Sequence, residues 1–411
     1  MVIENRYMFS ICYNFDNLWL HEGSYDEDGN FKRLRTYVCY KDGSSIIVLD
    51  DADIMTTEDG IVYKQDGDTL VICGYEGDEY IVEIPYEIDG IFVTDIETDN
   101  LPSGHEYYLA ATEEDFEYST GDGDGIIITK YTGTMTKFII PDKLDGKSVV
   151  EIGENAFAES EIVDVVISGN IKKIDGYAFS DCAKLEKVYF KEGLEELGEY
   201  AFSGASALTE VDLPESLLIL GNACFAGTKL TSIYIPKNVE NIYNTALTLT
   251  AIENIEVDPD NVTFASVDGV LYTKDLTSLI TVPCARAGSF VVPASVTLIG
   301  GGAFFDCNNI TEVSLEVGSK LENVSKLAFI DCNSLSVVDF SNGGINIEAG
   351  AFYQCGNISE VYFSPATTSL PAELFYENAI PDTLTKVRYR SDCDCQVVWP
   401  ESVTVETYDA E

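Results

Sequence analysis

Apolar residues recur along the chain with a period close to 23 residues. An apolar residue, usually Phe after Ala, returns at steps of 22, 23, 23 and 22 residues, and after a gap of 57 at steps of 25, 23 and 23. These positions are Phe157, Phe179, Phe202, Phe225, Leu247, Phe304, Phe329, Phe352 and Phe375. A fixed period of this length predicts an array of stacked structural repeats.

Two further phases keep step with the first. One has the form Leu-x-x-Val-x-Phe at 185–190, and it returns from Leu208, Leu230, Ile252, Ile310, Leu335, Ile358 and Leu384. The other is an Ile-Gly pair just before the Ala-Phe pair, as at Ile152-Gly153. The apolar Val and Phe of the first motif are separated by one residue, which is the period of a β-strand. Parallel copies stacked on one another bury an apolar face that one strand cannot bury alone. The pattern predicts a right-handed leucine-rich-repeat solenoid with a concave parallel β-sheet, short strands and short helical or 3-10 turns.

Paired apolar runs predict accessory β-hairpins. Residues 268–283 read DGVLYTKDLTSLITVP, with two runs around a Lys-Asp turn, and DGIVYKQDGDTLVI at 59–72 has the same pattern. Two further similar segments, 74–96 and 130–152, lie 56 residues apart. The second of these continues directly into the Ala-Phe array, so we expect degenerate repeat units before residue 149.

These signals divide the chain into four predicted segments. Residues 1–58 match none of the patterns and have an unclear fold, and 59–148 are degenerate β-rich repeat units or an N-terminal cap. A solenoid of units of about 23 residues spans 149–390, with a hairpin insertion near 258–290. Residues 391–411 form a C-terminal cap or tail.

The motifs I-G-x-x-A-F-x-x-C, L-x-x-V-x-[IL]-P and D-G-V-L-Y together resemble the BspA-type leucine-rich repeats of bacterial and protozoan surface proteins, across roughly residues 59–390. The resemblance implies a solenoid fold, no catalysis, and binding to host matrix proteins or other cells. It also implies a cell-surface or secreted location. The chain shows no signal peptide and no hydrophobic anchor, so a cytoplasmic location stays open.

Charge narrows the classes of partner. The chain has 24 Lys+Arg against 71 Asp+Glu, a formal net charge of −47. Such a field repels phosphate backbones and anionic lipid, so we expect no nucleic-acid partner, and no apolar stretch is long enough for membrane insertion. Residues 65–129 contain 18 acidic residues and no Lys or Arg. They are either a solvated acidic surface or a patch that steers a cationic partner.

The sequence offers little for catalysis or cofactors. His21 and His105 are the two histidines, which makes most triad chemistry improbable, and nothing combines a nucleophile, a base and an orienting group. Cys182, Cys307, Cys332 and Cys355 each follow a repeat Phe by three residues, where other repeats have Ala205 and Thr228. This alternation predicts a small buried position rather than a nucleophile or a ligand. We therefore predict no enzyme, no cofactor and no metal site.

The candidate binding residues point outward from the predicted strands. One row, between two buried strand positions, contains Tyr189, Asp212, Tyr234, Glu256, Asp339 and Tyr362, and the row beside it contains Lys187, Glu210 and Glu360. Tyrosine provides a large contact area at low entropic cost, although aromatic residues also simply favour strands. We predict an adhesin-like monomer that engages a protein or glycan partner through its concave face. The alternatives are a spacer that presents residues 1–58 and an intracellular interaction scaffold.

Overall fold

The structure is a computed structural model of the 411-residue chain, and it comprises two compact units, Met1–Thr112 with Lys137–Ile139 and Glu113–Thr136 with Ile140–Glu411. Before residue 54 it describes strands without their side chains. The described residues are 8–13, 17–25, 31–40, 46–50, 54–57, 59–66, 69–75, 81–85, 87–88, 91–96, 105–243, 245–375 and 380–409.

The first unit is built from β-strands, numbered here in chain order. An antiparallel sheet in the order β1-β2-β3-β4 comprises Met8–Tyr13, Asn17–Tyr25, Phe31–Tyr40 and Ile46–Asp50. The next strands are β5 (Ile54–Thr56), β6 (Ile61–Asp66), β7 (Thr69–Tyr75), β8 (Ile81–Ile84), β9 (Glu87–Ile88), β10 (Ile91–Ile96), β11 (Glu106–Leu109) and β14 (Lys137–Ile139). The hairpin predicted at 59–72 is formed by β6 and β7, which pair antiparallel. Its apolar side chains pack in a core that contains Tyr63, Leu70 and Ile72.

The second unit is a β-solenoid, and one of its walls consists of two-residue strands. We call this wall the short-strand sheet. Its strands are β18 (Lys173–Ile174), β20 (Glu196–Leu197), β21 (Ile219–Leu220), β23 (Asn241–Ile242), β29 (Leu298–Ile299), β31 (Asn323–Val324), β33 (Asn346–Ile347), β35 (Ser369–Leu370) and β37 (Asp394–Cys395). Before β18 the sheet continues into β16 (Lys147–Ile152), β13 (Ile126–Tyr131) and β12 (Phe116–Thr120), and β15 (Lys143–Leu144) pairs with β16. The repeated strands pair in parallel register, one turn to the next.

A second wall, the long-strand sheet, consists of strands of four to six residues. They are β17 (Asp164–Ile167), β19 (Lys187–Phe190), β22 (Ser232–Ile235), β24 (Asn254–Val257), β28 (Gly288–Val292), β30 (Ile310–Leu315), β32 (Val337–Phe340), β34 (Glu360–Phe363), β36 (Lys386–Arg390) and β38 (Thr404–Tyr408). The Leu-x-x-Val-x-Phe phase predicts β19, β22, β24, β30, β32, β34 and β36, and these pair in parallel as expected. It does not predict β17, β28 or β38, and the unit that begins at Leu208 forms a single bridge instead of a strand. The pairing is continuous from β28 to β38, whereas β17-β19 and β22-β24 are separate pairs. In the next repeat after β19, Asp212 forms a single parallel bridge with Tyr189 of that strand.

The turns that carry the Ala-Phe pairs contain no α-helix in the described part of the chain. Short 3-10 helices occur at Glu113–Asp115 and Asp122–Asp124. In these turns, left-handed backbone recurs two residues before and two residues after the repeat Phe. Around Phe202, for example, Tyr200 has φ 55° and Gly204 has φ 76°. A left-handed residue on each side lets the chain bend tightly around the buried ring, and glycine adopts that conformation without the cost that a Cβ imposes.

Two runs of stacked rings fill the interior, as the repeat phase predicts. We call Phe157, Phe179, Phe202 and Phe225, which are followed by Leu247 at the equivalent position, the first run, and Phe304, Phe329, Phe352 and Phe375 the second run. Successive ring centroids are 4.7, 5.0 and 5.7 Å apart in the first run and 4.5, 5.1 and 5.9 Å apart in the second. The rings are buried, so each repeat is held to its neighbours by apolar contact.

The cysteine positions are buried, as their exchange with Ala and Thr predicts. Their thiols also link successive turns. Cys332 Sγ donates to the carbonyl oxygen of Phe304 (2.9 Å), and Cys355 Sγ donates to that of Phe329 (2.7 Å). The neighbouring Cys355 thiol, together with burial, holds the pKa of the Cys332 thiol well above its usual value. The thiol therefore stays protonated and unreactive.

An insertion of three antiparallel strands, which we call the hairpin, separates the two runs. It is formed by β25 (Phe264–Val267), β26 (Val270–Thr273) and β27 (Ser278–Thr281), and β27 joins the short-strand sheet by pairing with β29. The fully buried side chain of Asn261 holds its entry loop in place. Asn261 Nδ2 donates to the carbonyls of Pro236 and Val239, and its Oδ1 accepts from the amides of Thr263 and Phe264. The hairpin is thus a built-in element of the repeat array.

Candidate functional site

The outward side chains of the long-strand sheet form two parallel rows, which we call the strand face. Strand alternation buries Val188 and Ile233 and turns the residues on either side of them outward. In the first row, Tyr189 lies opposite Asp212, Tyr234 opposite Glu256, and Asp339 opposite Tyr362. The second row contains Lys187, Glu210, Ser232, Asn254, Glu312, Val337, Glu360 and Lys386. The register therefore brings the predicted residues into lines along the sheet.

The hairpin divides the nine predicted residues between two groups. Lys187, Tyr189, Glu210, Asp212, Tyr234 and Glu256 lie before it, and Asp339, Glu360 and Tyr362 lie after it. The side chains differ in exposure, since Asp212, Glu210, Glu256 and Tyr234 are exposed and the other five are half-buried. Tyr234 is the most open tyrosine of the nine, at 44% exposed. The strand face therefore has two parts, one before the hairpin and one after it.

Tyr234 is oriented by a carboxylate. Its hydroxyl donates to Asp258 Oδ2 at 2.7 Å, just beyond the end of β24. That hydrogen bond raises the pKa of Tyr234 to about 12, and the same bond lowers the pKa of Asp258. The pair holds the tyrosine ring in one orientation, which reduces the entropy lost when a partner covers it.

Two cations, Lys386 and Arg388, lie beside the second group of predicted residues. The Tyr362 hydroxyl donates to Glu360, and Lys386 Nζ lies 5.3 Å from the centre of the Tyr362 ring. Lys386 also pairs with Glu406 Oε1 at 3.1 Å. Arg388, in the first row beside Tyr362, places its guanidinium carbon 3.9 Å from the centre of the Tyr408 ring. The sequence pattern did not indicate the contact between Arg388 and Tyr408, because β38 lies outside the 23-residue frame.

This chemistry suits binding. The strand face offers aromatic rings, carboxylates and a few cations that are positioned by one another. Within the part of the chain that the structure describes, no group of three or more His, Cys, Asp or Glu side chains is placed to hold a metal ion. His21 and parts of the acidic segment 65–129, including 76–80 and 97–104, fall outside the described side chains.

The short-strand sheet borders an open groove of about 440 Å³ that the sequence analysis missed. Its lining includes the carboxylates of Glu154, Asp175, Glu196 and Glu199 and the exposed rings of Tyr177 and Tyr243. The ring of Tyr177 stacks on Tyr200 with centroids 4.9 Å apart. Tyr177 and Tyr200 each lie two residues before a repeat Phe, so counting positions within the repeat could have identified this stacked pair.

Comparison with known proteins identifies the family. A sequence profile of the BspA type leucine rich repeat region matches residues 131–267 and 283–394, in six copies. These residues make up more than half of the chain, and the chain belongs to this family of BspA-type leucine-rich-repeat proteins. Proteins of this repeat family are typically non-enzymatic binding proteins and are typically found at the cell surface. No curated protein matches the chain significantly.

Several solved structures of bacterial repeat proteins are similar to the chain. The pneumococcal vaccine antigen PcpA is 19% identical, with 86% of this chain and 92% of that chain covered and a TM-score of 0.50. A leucine rich cell surface protein from Faecalibacterium prausnitzii is 21% identical, with 74% and 95% covered and a TM-score of 0.44. A leucine-rich repeat protein from Eubacterium ventriosum is 19% identical, with 72% and 93% covered and a TM-score of 0.48. No helix among the described residues is long and apolar enough to cross a bilayer.

Proposed function

We propose that this protein is a non-enzymatic, adhesin-like binding protein that engages a partner protein through its strand face. The observation that carries the proposal is the alignment of Tyr189, Tyr234 and Tyr362 with acidic neighbours on parallel strands. Tyrosine is enriched where protein interfaces bind most strongly, because it combines a large apolar area with a polar tip. We further propose that it acts at the cell surface, as is typical of its family.

The experiment replaces the three tyrosines together with threonine. Threonine is β-branched and keeps the preference of these positions for a strand, so the sheet should persist. Labelled protein is applied to immobilised fibronectin, laminin, fibrinogen and collagen and to intact epithelial cells. We expect the chain to bind at least one of these, and the triple variant Tyr189→Thr, Tyr234→Thr, Tyr362→Thr to lose at least tenfold in affinity. Unchanged affinity of the triple variant would exclude these tyrosines as the binding residues and would contradict the proposal.

A matched control uses three tyrosines of the Ala-Phe turns. Tyr177, Tyr200 and Tyr243 lie at or beside the groove of the short-strand sheet, and two of them are as exposed as Tyr234 to within about 6 percentage points. Their simultaneous replacement by asparagine, which tolerates the left-handed backbone of Tyr177 and Tyr200, removes the same number of rings from a different surface. We expect this control to keep its affinity, whereas a loss in the control alone would transfer the function to the groove.

The proposed location has a separate test. Surface protease shaving of intact native cells, followed by detection with an antibody to this chain, should remove the protein while a cytoplasmic marker survives. A chain that resists protease until the cells are lysed would contradict the surface location. In that case the partner would have to be sought inside the cell.

A further inference from the structure

Three arginine side chains are described, and two of them have acceptors. Arg286 Nη1 donates to the carbonyl oxygen of Asp268 at 2.8 Å, and its guanidinium lies 5.2 Å from the Phe290 ring. Arg390 Nη2 donates to Asp392 Oδ2 at 2.8 Å. Guanidinium groups in proteins recognise carboxylates through paired hydrogen bonds, and these two are already committed to groups of their own chain.

Arg388 is different. It lies half-buried in the first row of the strand face, on β36, and its guanidinium stacks on the ring of Tyr408. Its Nε is buried without a hydrogen-bond partner, and neither Nη nitrogen donates to any residue in the described part of the chain. A guanidinium that is partly removed from water and lacks acceptors is costly, and an incoming acceptor relieves that cost.

Within the described part of the chain, the two neighbours of Arg388 make their side-chain contacts with other residues. Tyr362 and Glu406 lie opposite Arg388 on the two adjacent strands. The hydroxyl of Tyr362 donates to Glu360, and the carboxylate of Glu406 pairs with Lys386 at 3.1 Å. These contacts hold the Tyr362 and Glu406 side chains to other groups, and neither side chain accepts a hydrogen bond from the Arg388 guanidinium.

The surroundings indicate the class of ligand. The rest of the strand face is acidic, with Glu210, Asp212, Glu256, Glu312 and Asp339 along its rows. Lys386 and Arg388 place two cations among the tyrosines at its C-terminal end. At physiological salt, charges more than about 8 Å apart are largely screened, so contact distance decides what binds there. A carboxylate fits the end of the guanidinium fork, and the Tyr362 and Tyr408 rings provide apolar contact beside it.

We propose that Arg388 is the anchor point of the strand face and that it binds a carboxylate of the partner protein, from an Asp or Glu side chain or a chain end. The inference rests on the proposed function for the class of partner. Arginine and tyrosine are the residues most often found where interface binding energy concentrates. Arg388 therefore deepens the proposal by naming the group that the partner must present.

The experiment uses the full chain labelled with ¹⁵N-arginine, which gives six Nε–Hε signals, one for each arginine. The probe is the peptide acetyl-Gly-Glu-Gly-amide, and acetyl-Gly-Gln-Gly-amide is its neutral control. Arg388→Gln assigns the signal by removing it. We expect the Arg388 signal to shift with the glutamate peptide and to stay in place with the glutamine peptide, while the Arg286 and Arg390 signals do not move. No shift at Arg388, or an equal shift of all three signals, would overturn the proposal.

A second variant keeps the proposal testable if Arg388→Gln does not fold. Tyr408→Leu removes the ring under the guanidinium and keeps the arginine signal. Because the ring already holds the guanidinium in place, and immobilising a free side chain on binding costs about 0.5–1.5 kcal/mol, we expect the affinity for the glutamate peptide to fall about threefold. An unchanged affinity would contradict the assignment of the stacked guanidinium as the binding group.

Two further arms separate the possible failures. Glucuronic acid and N-acetylneuraminic acid are titrated in the same way, and a shift at a tenfold lower concentration than the peptide requires would replace the protein partner with an acidic glycan. The peptide titration does not depend on the tyrosine triple variant. A specific shift of the Arg388 signal with unchanged binding of the triple variant would contradict the proposed role of the tyrosines alone. Loss of binding in the triple variant without a shift of the Arg388 signal would contradict the proposed role of Arg388 alone.

Discussion

The two runs of stacked rings are alike in their interior and different at their strand face. Ring centroids are 4.5 to 5.9 Å apart in both runs. In the second run the long-strand sheet is continuous from β28 to β38, whereas in the first it consists of two separate pairs and a single bridge. The short-strand sheet remains paired throughout the first run, from β16 to β23. The stacked interior and the short-strand sheet are therefore enough to keep the repeats in register.

The largest expected effect tests that common interior. Phe202 and Phe329 are a matched pair, since each is fully buried between two repeat rings and beside a strand Phe, at 6.0 and 6.1 Å. We expect Phe202→Ala and Phe329→Ala each to lower the free energy of unfolding by about 3–5 kcal/mol, through lost apolar transfer and a residual cavity. Urea unfolding followed by circular dichroism measures both.

A surface stack provides the control for this pair. Tyr200→Ala removes a ring that stacks on Tyr177 outside the core, and we expect a loss of about 1 kcal/mol. A near-neutral result for either phenylalanine variant would refute the stacked interior. A much larger loss for Phe202→Ala than for Phe329→Ala would show instead that the gap in the strand face weakens the first run.

A smaller effect distinguishes the two residue types that occupy the small buried position. The Cys332 thiol in the second run donates to Phe304 in the preceding repeat, as the Cys182 thiol in the first run donates to Phe157, whereas the Thr228 hydroxyl donates to Phe225 in its own repeat. We expect Cys332→Ala to lower the free energy of unfolding by about 1–2 kcal/mol, because a buried carbonyl loses one partner. Thr228→Ala is the control. If only the thiol links repeats, unfolding of Cys332→Ala becomes less cooperative and that of Thr228→Ala does not.

The smallest effect concerns the hairpin between the runs. Asp275 Oδ1 accepts hydrogen bonds from the hydroxyls of Thr273 and Thr277, and these bonds lower the pKa of the Asp275 carboxyl. A lowered folded-state pKa stabilises the protein above the ordinary Asp pKa of about 3.9, and this stabilisation is lost as the pH falls through the lower value. We expect Asp275→Asn to lower the urea midpoint at pH 6 and to converge with the parent chain near pH 2.

Asp382 offers the control for this measurement. It is an exposed carboxylate that accepts no side-chain hydrogen bond within the described part of the chain. Asp382→Asn should leave the difference between pH 6 and pH 2 unchanged. An equal pH response in both variants would mean that Asp275 does not stabilise the turn.

The sequence predicted the parts of the fold that depend on burial. The spacing from Phe157 to Phe375 specifies the stacked interior, and the exchange of Cys332 with Ala and Thr at equivalent positions specifies a small buried position. The short-strand sheet was not predicted, because two residues are too few to show alternation. The Ile-Gly phase, at Ile152 and again at Ile299, was its only trace in the sequence.

The candidate site was only partly predictable, for a different reason. Alternation indicates which side chains point outward, and it correctly aligned Tyr189, Asp339 and Tyr362 on their strands. It cannot indicate which partners they find beyond the repeat frame. Tyr408 under Arg388 lies in the segment expected to be a cap or tail, and no periodicity relates the two positions. The binding role of these residues remains a prediction.

The buried Asn261 has a practical consequence for producing the protein. Asn261-Val262-Thr263 is an acceptor sequence for N-linked glycosylation, which in a eukaryotic secretory host modifies the very Nδ2 that the entry loop uses. A glycan added to the nascent chain would keep that side chain outside and prevent the loop from closing over it. Thr263→Ala removes the acceptor sequence and keeps the Thr263 backbone amide that bonds Asn261 Oδ1. Secreted expression should therefore start from that variant or from a bacterial host.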